Sequence, residues 1–188
     1  MTWTPEARIA VIEAATREVL DALGENAERE GLRDTPNRVA RAWLEMTAGY
    51  AQDPKELLST AFDSDMDQMV VVRGIPFEST CEHHLLPFMG EAHVAYVPKG
   101  RVVGLSKIPR LVRCFAKRLQ IQEQMTHDIA TTMMEVLEPA GVGVIVKAHH
   151  LCMRCRGVRD PKAEMITSSL HGVMLKHGRE EFLRLISL

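Results

Sequence analysis

The chain has 188 residues, of which 46% are hydrophobic and 26% charged, a balance that excludes disorder and leaves room for one ordinary folded domain with a substantial core. A formal net charge of −2 offers no general attraction to nucleic acid or to an anionic membrane, so any bound anion must meet a local basic cluster. The N-terminus lacks the basic-then-apolar layout of a signal peptide and no apolar run approaches a membrane span, so the cytoplasm is the expected location.

In chain order, Thr4-Pro5 predicts a helix start, an N-cap followed by proline at the first helical position. Ile9, Ile12, Val19, Leu20 and Leu23 give that helix a broad apolar stripe, and Gly24 supplies its stop. The same start signal recurs at Thr35-Pro36, opening a helix through Val39, Trp43, Leu44 and Met46, and a short helix follows Asp53-Pro54. Residues 1–60 therefore read as a helical N-terminal extension, with 61–188 as a second domain. There Met69-Val70-Val71-Val72 and Ala92-His93-Val94-Ala95-Tyr96-Val97 read as strands, and Pro98-Lys99-Gly100 as a turn into a third strand over 101–105. Ser106 caps a helix to about Arg118, and a second helix spans 122–137, ending at Glu138-Pro139. Residues 142–153 read as one long strand, 165–168 as a short one, and the tail from Glu180 as a helix. The expected fold class is α+β, an antiparallel sheet with two consecutive helices and a helical leader.

Four cysteines, Cys81, Cys114, Cys152 and Cys155, stand in a chain that needs no disulfides, and so read as metal ligands or core residues. Cys114 lies among Leu111 and Phe115 and reads as core; His93, His127 and His177 stand alone and read as ordinary structural or surface residues. In Cys81-Glu82-His83-His84 the thiol and the last imidazole are three apart, so a turn or a helical first turn can bring Cys81 and His84 to one ion. In His150-Leu151-Cys152, residues two apart on a strand share a face. Two thiolates and one imidazole are the donors of a catalytic zinc with its fourth position open to water, although chance pairing of buried cysteines fits the spacing as well. Cys152-Met153-Arg154-Cys155 also has the spacing of a zinc knuckle. Met153-Arg154 is not turn-like, however, so Cys152 is preferred as ligand and Cys155 as a packed residue on the opposite face.

Lys107, Arg110, Arg113 and Lys117 form a basic stripe along the helix after Ser106. That stripe reads either as a solvated face or, since Lys107 and Arg110 sit in the first turn, as part of an anion site at the helix N-terminus. Arg154 and Arg156 would continue the alternation of His150 and Cys152 and bring positive charge toward the metal. Gln122-Glu123 follows; the carboxylate can accept two hydrogen bonds from adjacent N–H donors such as those of a guanine edge.

Taken together, these segments resemble GTP cyclohydrolase I. The resemblance rests on Glu30-Gly31-Leu32-Arg33-Asp34-Thr35-Pro36, Ser79-Thr80-Cys81-Glu82-His83-His84-Leu85-Leu86-Pro87-Phe88, Val103-Gly104-Leu105-Ser106-Lys107-Ile108-Pro109-Arg110, Gln120-Ile121-Gln122-Glu123, and His150-Leu151-Cys152 with Arg156-Gly157. It implies zinc (Zn2+) on Cys81, His84 and Cys152; His150 as proton donor to the purine; and His83, Ser106 and Gln122 around the purine and ribose. It also implies Glu123 as anchor for guanine, and Lys107, Arg110 and Arg156 on the triphosphate. The implied reaction hydrolyses the imidazole ring of GTP, releases formate and yields 7,8-dihydroneopterin triphosphate, opening pterin and folate biosynthesis. The implied fold is the tunnelling fold, and the implied assembly is a homodecamer of two pentamers with active sites between subunits. Leu119 stands where some members have proline, and 165–171 matches only loosely. The N-terminus is short, with no sign of a long regulatory extension. Two other readings make different demands. A tunnelling-fold nitrile reductase would use a cysteine nucleophile and NADPH without zinc, and a non-catalytic zinc protein would need a fourth protein ligand, with Cys155 the natural candidate.

Overall fold

Thr4 starts the first helix as its sequence predicts. Its hydroxyl oxygen accepts the Ala7 amide at 3.2 Å, Pro5 follows, and α1 runs Pro5–Ala22 before Gly24 turns the chain at φ 80°. The computed structural model describes residues 3–187, which divide after Thr47 into two compact units. In the first unit α1 packs on α2 (Thr35–Met46), whose N-cap is Asp34 rather than Thr35. Pro36 and Ala40 of α2 are buried, whereas α1 buries no residue completely, and Val19 and Leu23 of its apolar stripe stay exposed.

The second unit begins with a 3-10 turn at Ala48–Ala51 and a one-turn helix α3 (Pro54–Leu57), so these segments group with the sheet rather than with the helical leader. Gly49 marks the reason. A Cβ there would lie 2.1 Å from the Cys114 carbonyl oxygen, and the Gly49 amide donates to Lys117 O at 2.9 Å. Cys114 itself is 1% exposed, in keeping with its reading as a core residue.

A five-stranded sheet organises the rest. Its strands are β2 (Val70–Cys81), β3 (Pro87–Val97), β5 (Leu119–Gln120), β6 (Gly141–His150) and β7 (Met165–Gly172), in the order β5-β2-β3-β6-β7. All pairs are antiparallel except β2 with β5. A separate ribbon pairs β1 (Ala61–Asp63) with β4 (Arg101–Val103). Helices α4 (Lys107–Ala116) and α5 (Gln122–Leu137) follow one another and cover one face, as the sequence predicts. Their apolar sides meet alternate strand residues: Ile108, Leu111, Val112, Phe115, Met125, Ile129 and Met133 share a core with Phe77, Phe88, Val94, Tyr96, Val144 and Val146. Helix α7 (Gly178–Ser187) covers part of the other face, where Phe182 and Met174 bury Ala95. That second cover explains why β3 is buried on both faces from Ala92 to Tyr96 instead of alternating.

Among the strand boundaries that differ from the sequence reading, two bear on the site. β2 continues past Val72 to Cys81 across a bulge at Arg73 and Gly74, where Gly74 takes φ 66°. β6 stops at His150, and residues 151–154 form the one-turn helix α6 (Leu151–Arg154), so the long strand expected over 142–153 is cut short.

Candidate metal centre and active site

Cys81 is the last residue of β2, and the turn behind it is what delivers His84. The Cys81 carbonyl accepts the amides of His84 at 3.4 Å and Leu85 at 2.8 Å, while the Cys81 amide donates to Leu86 O at 2.9 Å. Leu85 pays the conformational cost of this tight reversal with φ 56°, a left-handed backbone unusual for a residue of its kind. Glu82 N donates to Gln120 O at 3.0 Å and ties the turn to β5. The result places His84 Nδ1 3.8 Å from Cys81 Sγ.

Cys152 arrives from the far side of β3. It lies in α6, so its approach depends on the first turn of a helix and not on strand alternation with His150 as the sequence suggested. Cys81 Sγ, a ring nitrogen of His84 and Cys152 Sγ nonetheless all lie within 4.8 Å of one another. Donors about 2.0–2.3 Å from a tetrahedral zinc stand about 3.3–3.8 Å apart, so small side-chain adjustments close this group on such an ion. Burial raises the Cys152 thiol above its usual pKa, the charge and hydrogen bond of Cys81 raise it further, and only then does Arg156 oppose. A soft cation would relieve this opposition to ionisation at Cys152.

Cys155 lies outside the group. It is exposed, and its Sγ donates back to Leu151 O at 2.9 Å, so it is neither a fourth ligand among the described residues nor the packed residue expected. Arg154 also departs from the expected alternation. Its guanidinium folds onto the Pro161 carbonyl, Nε at 2.9 Å, while the chain closes with Asp160 N on Met153 O at 3.0 Å. Arg156 stays near the centre, its Nη1 donating to Cys152 O at 3.3 Å.

His150 ends β6 facing the helices. It is 9% exposed, its ring lies flat on Phe88 at 4.6 Å between centroids, and its Nε2 sits 2.8 Å from Gln122 Oε1. Burial holds this imidazole below its usual pKa, with the Glu123 carboxylate pulling the other way. Gln122, the first residue of α5, is 1% exposed, and its amide hydrogens are engaged inside the chain, so what it contributes passes through His150. Glu123 stands exposed one position later, in the first turn of α5 where a carboxylate is favoured.

The remaining sequence candidates sit at the surface. His83 is exposed, 3.9 Å from Glu82 Oε1, with its ring centroid 6.2 Å from that of His84. Ser106, Lys107 and Arg110 occupy the start of α4, where Ser106 takes the N-cap position without a capping hydrogen bond. Among the described residues they make no hydrogen bond or ion pair with the cysteines or His150. Sequence reasoning missed Thr167 of β7, whose hydroxyl accepts from Gln122 Nε2 at 3.1 Å. Its signal was the alternation Met165, Thr167, Ser169 on the helix-facing side, within the segment that matched the motifs loosely.

Comparison with known proteins follows the same lines. Residues 12–187 match the family described as GTP cyclohydrolase I. The GTP cyclohydrolase 1 of Campylobacter jejuni subsp. jejuni serotype O:6 is 53% identical over 178 residues, covering 93% of this chain and 94% of its own length. That of Janthinobacterium sp. is 52% identical over 173 residues, 90% and 87% of the two chains, and that of Carboxydothermus hydrogenoformans 53% over 163, 86% and 85%. Among solved structures, the apo form of an archaeosine synthase QueF-Like aligns with TM-score 0.44 and 22% identity, over 58% of this chain and 96% of its own.

Proposed function

Since the chain belongs to the GTP cyclohydrolase I family, we propose that it is a zinc-dependent enzyme that opens the guanine imidazole ring of GTP, releases formate and forms 7,8-dihydroneopterin triphosphate. The observation that carries this reading is the convergence of Cys81, His84 and Cys152 beside the buried His150–Gln122 pair. Zinc held by Cys81, His84 and Cys152 would supply Lewis acidity and lower the pKa of a water to roughly 7.

The chain's own residues do the rest. His150, desolvated against Phe88, delivers a proton to the imidazole nitrogen of the purine as the ring is attacked. Glu123 accepts the adjacent N–H groups of the guanine edge and sets the register of the base. His83 and Ser106 complete the surroundings of purine and ribose, and Gln122 acts on them through His150. Lys107, Arg110 and Arg156 hold the triphosphate, the first two where the N-terminus of α4 adds its own partial positive charge. After formate leaves, the ribose rearranges and closes onto the exposed amines. Every one of these residues lies in the second unit, which we assign as the catalytic domain on the tunnelling fold.

No helix of the described residues is long and apolar enough to cross a membrane, and we place the enzyme in the cytoplasm, as a homodecamer of two pentamers with sites shared between subunits. The surface position of His83, Ser106, Lys107 and Arg110 in a single chain supports a site completed by a neighbour. Sedimentation of a fully active monomer would contradict it.

The direct test is incubation of zinc-loaded protein with GTP, reading formate and the fluorescence of the oxidised pterin; absence of both refutes the proposal. The triphosphate assignment has its own check. Arg110→Ala and Arg156→Ala are expected to raise KM for GTP by about tenfold or more, the loss of one charge-assisted contact. Arg113→Ala and Lys117→Ala, farther along α4, are expected to stay within about twofold. Equal effects at all four would reduce the stripe to a diffuse field.

A further inference from the structure

Gln122 could present either end of its amide to His150, and its neighbours decide which. Thr126, one turn later in α5 and 1% exposed, has its Oγ1 2.7 Å from the Gln122 backbone carbonyl. A carbonyl only accepts, so the Thr126 hydroxyl hydrogen goes there. Thr167 Oγ1 is 2.7 Å from Thr126 Oγ1, and with Thr126 already donating, Thr167 must donate to it. That leaves Thr167 Oγ1 an acceptor toward Gln122 Nε2 at 3.1 Å. The other groups around Nε2 are the carbonyls of Val146 and Met165, each at 3.1 Å. An amide oxygen turned into that pocket would meet two carbonyl oxygens and a committed hydroxyl acceptor, and would leave a buried mismatch. The NH2 therefore faces β6 and β7, and the oxygen faces His150.

We propose that Thr126 and Thr167 are positioning residues that lock the Gln122 amide and thereby fix neutral His150 as the Nε2–H tautomer, so that Nδ1 is the nitrogen that takes up a proton from solvent, hands it to the substrate and returns to this tautomer. The Gln122 oxygen can only accept, so the Nε2 atom 2.8 Å away carries the hydrogen. Nδ1 makes no hydrogen bond among the described residues. The direction of the network is set between α5 and β7, and two strands separate β7 from β2 and the turn behind it. This inference deepens the assignment of His150 to GTP cyclohydrolysis and rests on it for its kinetic part, whereas the tautomer is a property of the protein without substrate.

The test joins spectroscopy to kinetics on full-length, zinc-loaded protein. Nitrogen NMR of isotope-labelled histidine at mildly alkaline pH, with His150→Asn to assign the signal, is expected to show Nε2–H at His150 in the wild type. Thr167→Val keeps the shape and removes the hydroxyl. It is expected to mix the two tautomers and lower kcat for GTP by about tenfold or more, with KM within about twofold, because the lost contribution is to proton transfer. Thr167→Ser restores both readouts. Nδ1–H in the wild type overturns the proposal, as does Thr167→Val with unchanged tautomer and kcat. A wild type inert toward GTP, but with the tautomer shifting in Thr167→Val and recovering in Thr167→Ser, upholds the network and refutes only the assigned reaction.

Discussion

His84→Ala is expected to lose zinc and, with it, formate release from GTP by about 10³-fold or more, because free water offers almost no hydroxide at neutral pH. Cys81→Ser and Cys152→Ser are expected to do the same. The three differ in what else they disturb. Cys81 is 5% exposed in the main core, so a serine there also leaves a hydroxyl without a partner, at about 1–3 kcal/mol. Its neighbours Ser79 and Thr80 already carry buried hydroxyls with no protein partner. His84 is exposed, so its removal takes away a ligand and little packing, which makes it the cleanest of the three. Metal content per chain, thermal melting and formate release together separate a lost ligand from a damaged fold. Full turnover by protein verified as metal-free would refute the proposed chemistry.

Glu123→Gln is expected to keep zinc and the fold and still lose most turnover of GTP. The carboxylate accepts at both oxygens, whereas the amide presents one oxygen and one NH2, so a donor on guanine meets a donor on the enzyme. A mismatch of this kind costs about 1–3 kcal/mol per unpaired group, which places the loss in kcat/KM at about 5- to 150-fold for one group and higher for two. The side chain is exposed in the first turn of α5, so the structural effect is limited to a weaker interaction with the helix N-terminus, about 0.3–1 kcal/mol. Unchanged kinetics with GTP would remove Glu123 from the site.

The helices and the convergence of Cys81 with His84 were legible in the sequence for physical reasons that can be named. Proline after a capping residue opened α1 and α3, and the basic and apolar sides of α4 stood opposite each other at helical spacing. Cys81 and His84 needed only a tight turn, and the turn is there. β2 was harder to read. Gly74 and Pro76 look like strand breakers, yet Gly74 is absorbed in a bulge, and β5 pairs with β2 only at Thr80 and Cys81, so Pro76 needs no partner on that edge. Cys152 does come to Cys81 and His84, but not by the strand alternation read from the sequence, since β6 gives way to α6 after His150. Nothing local in Leu151-Cys152-Met153-Arg154 opposes an extended strand, and the helical turn is held by the closure of Asp160 N on Met153 O. Thr167 was invisible for another reason. Its importance comes from facing Gln122, a residue 45 positions away in the chain, and periodicity within β7 says which side it faces but not what it meets there.

The order in which these pieces leave the ribosome follows from the sheet. Cys81 and His84 emerge first, but their partner Cys152 closes a strand that cannot sit beside β3 until α4 and α5 have been made. Thr167 comes later still, on the last strand of the sheet. Completion of the centre therefore waits on long-range pairings, the kind that form late because loop closure precedes any stabilisation from the contact. Until β6 docks, a nascent chain offers a cation only a thiol and an imidazole, an incomplete set, so firm metal uptake marks a chain whose central strands are already paired.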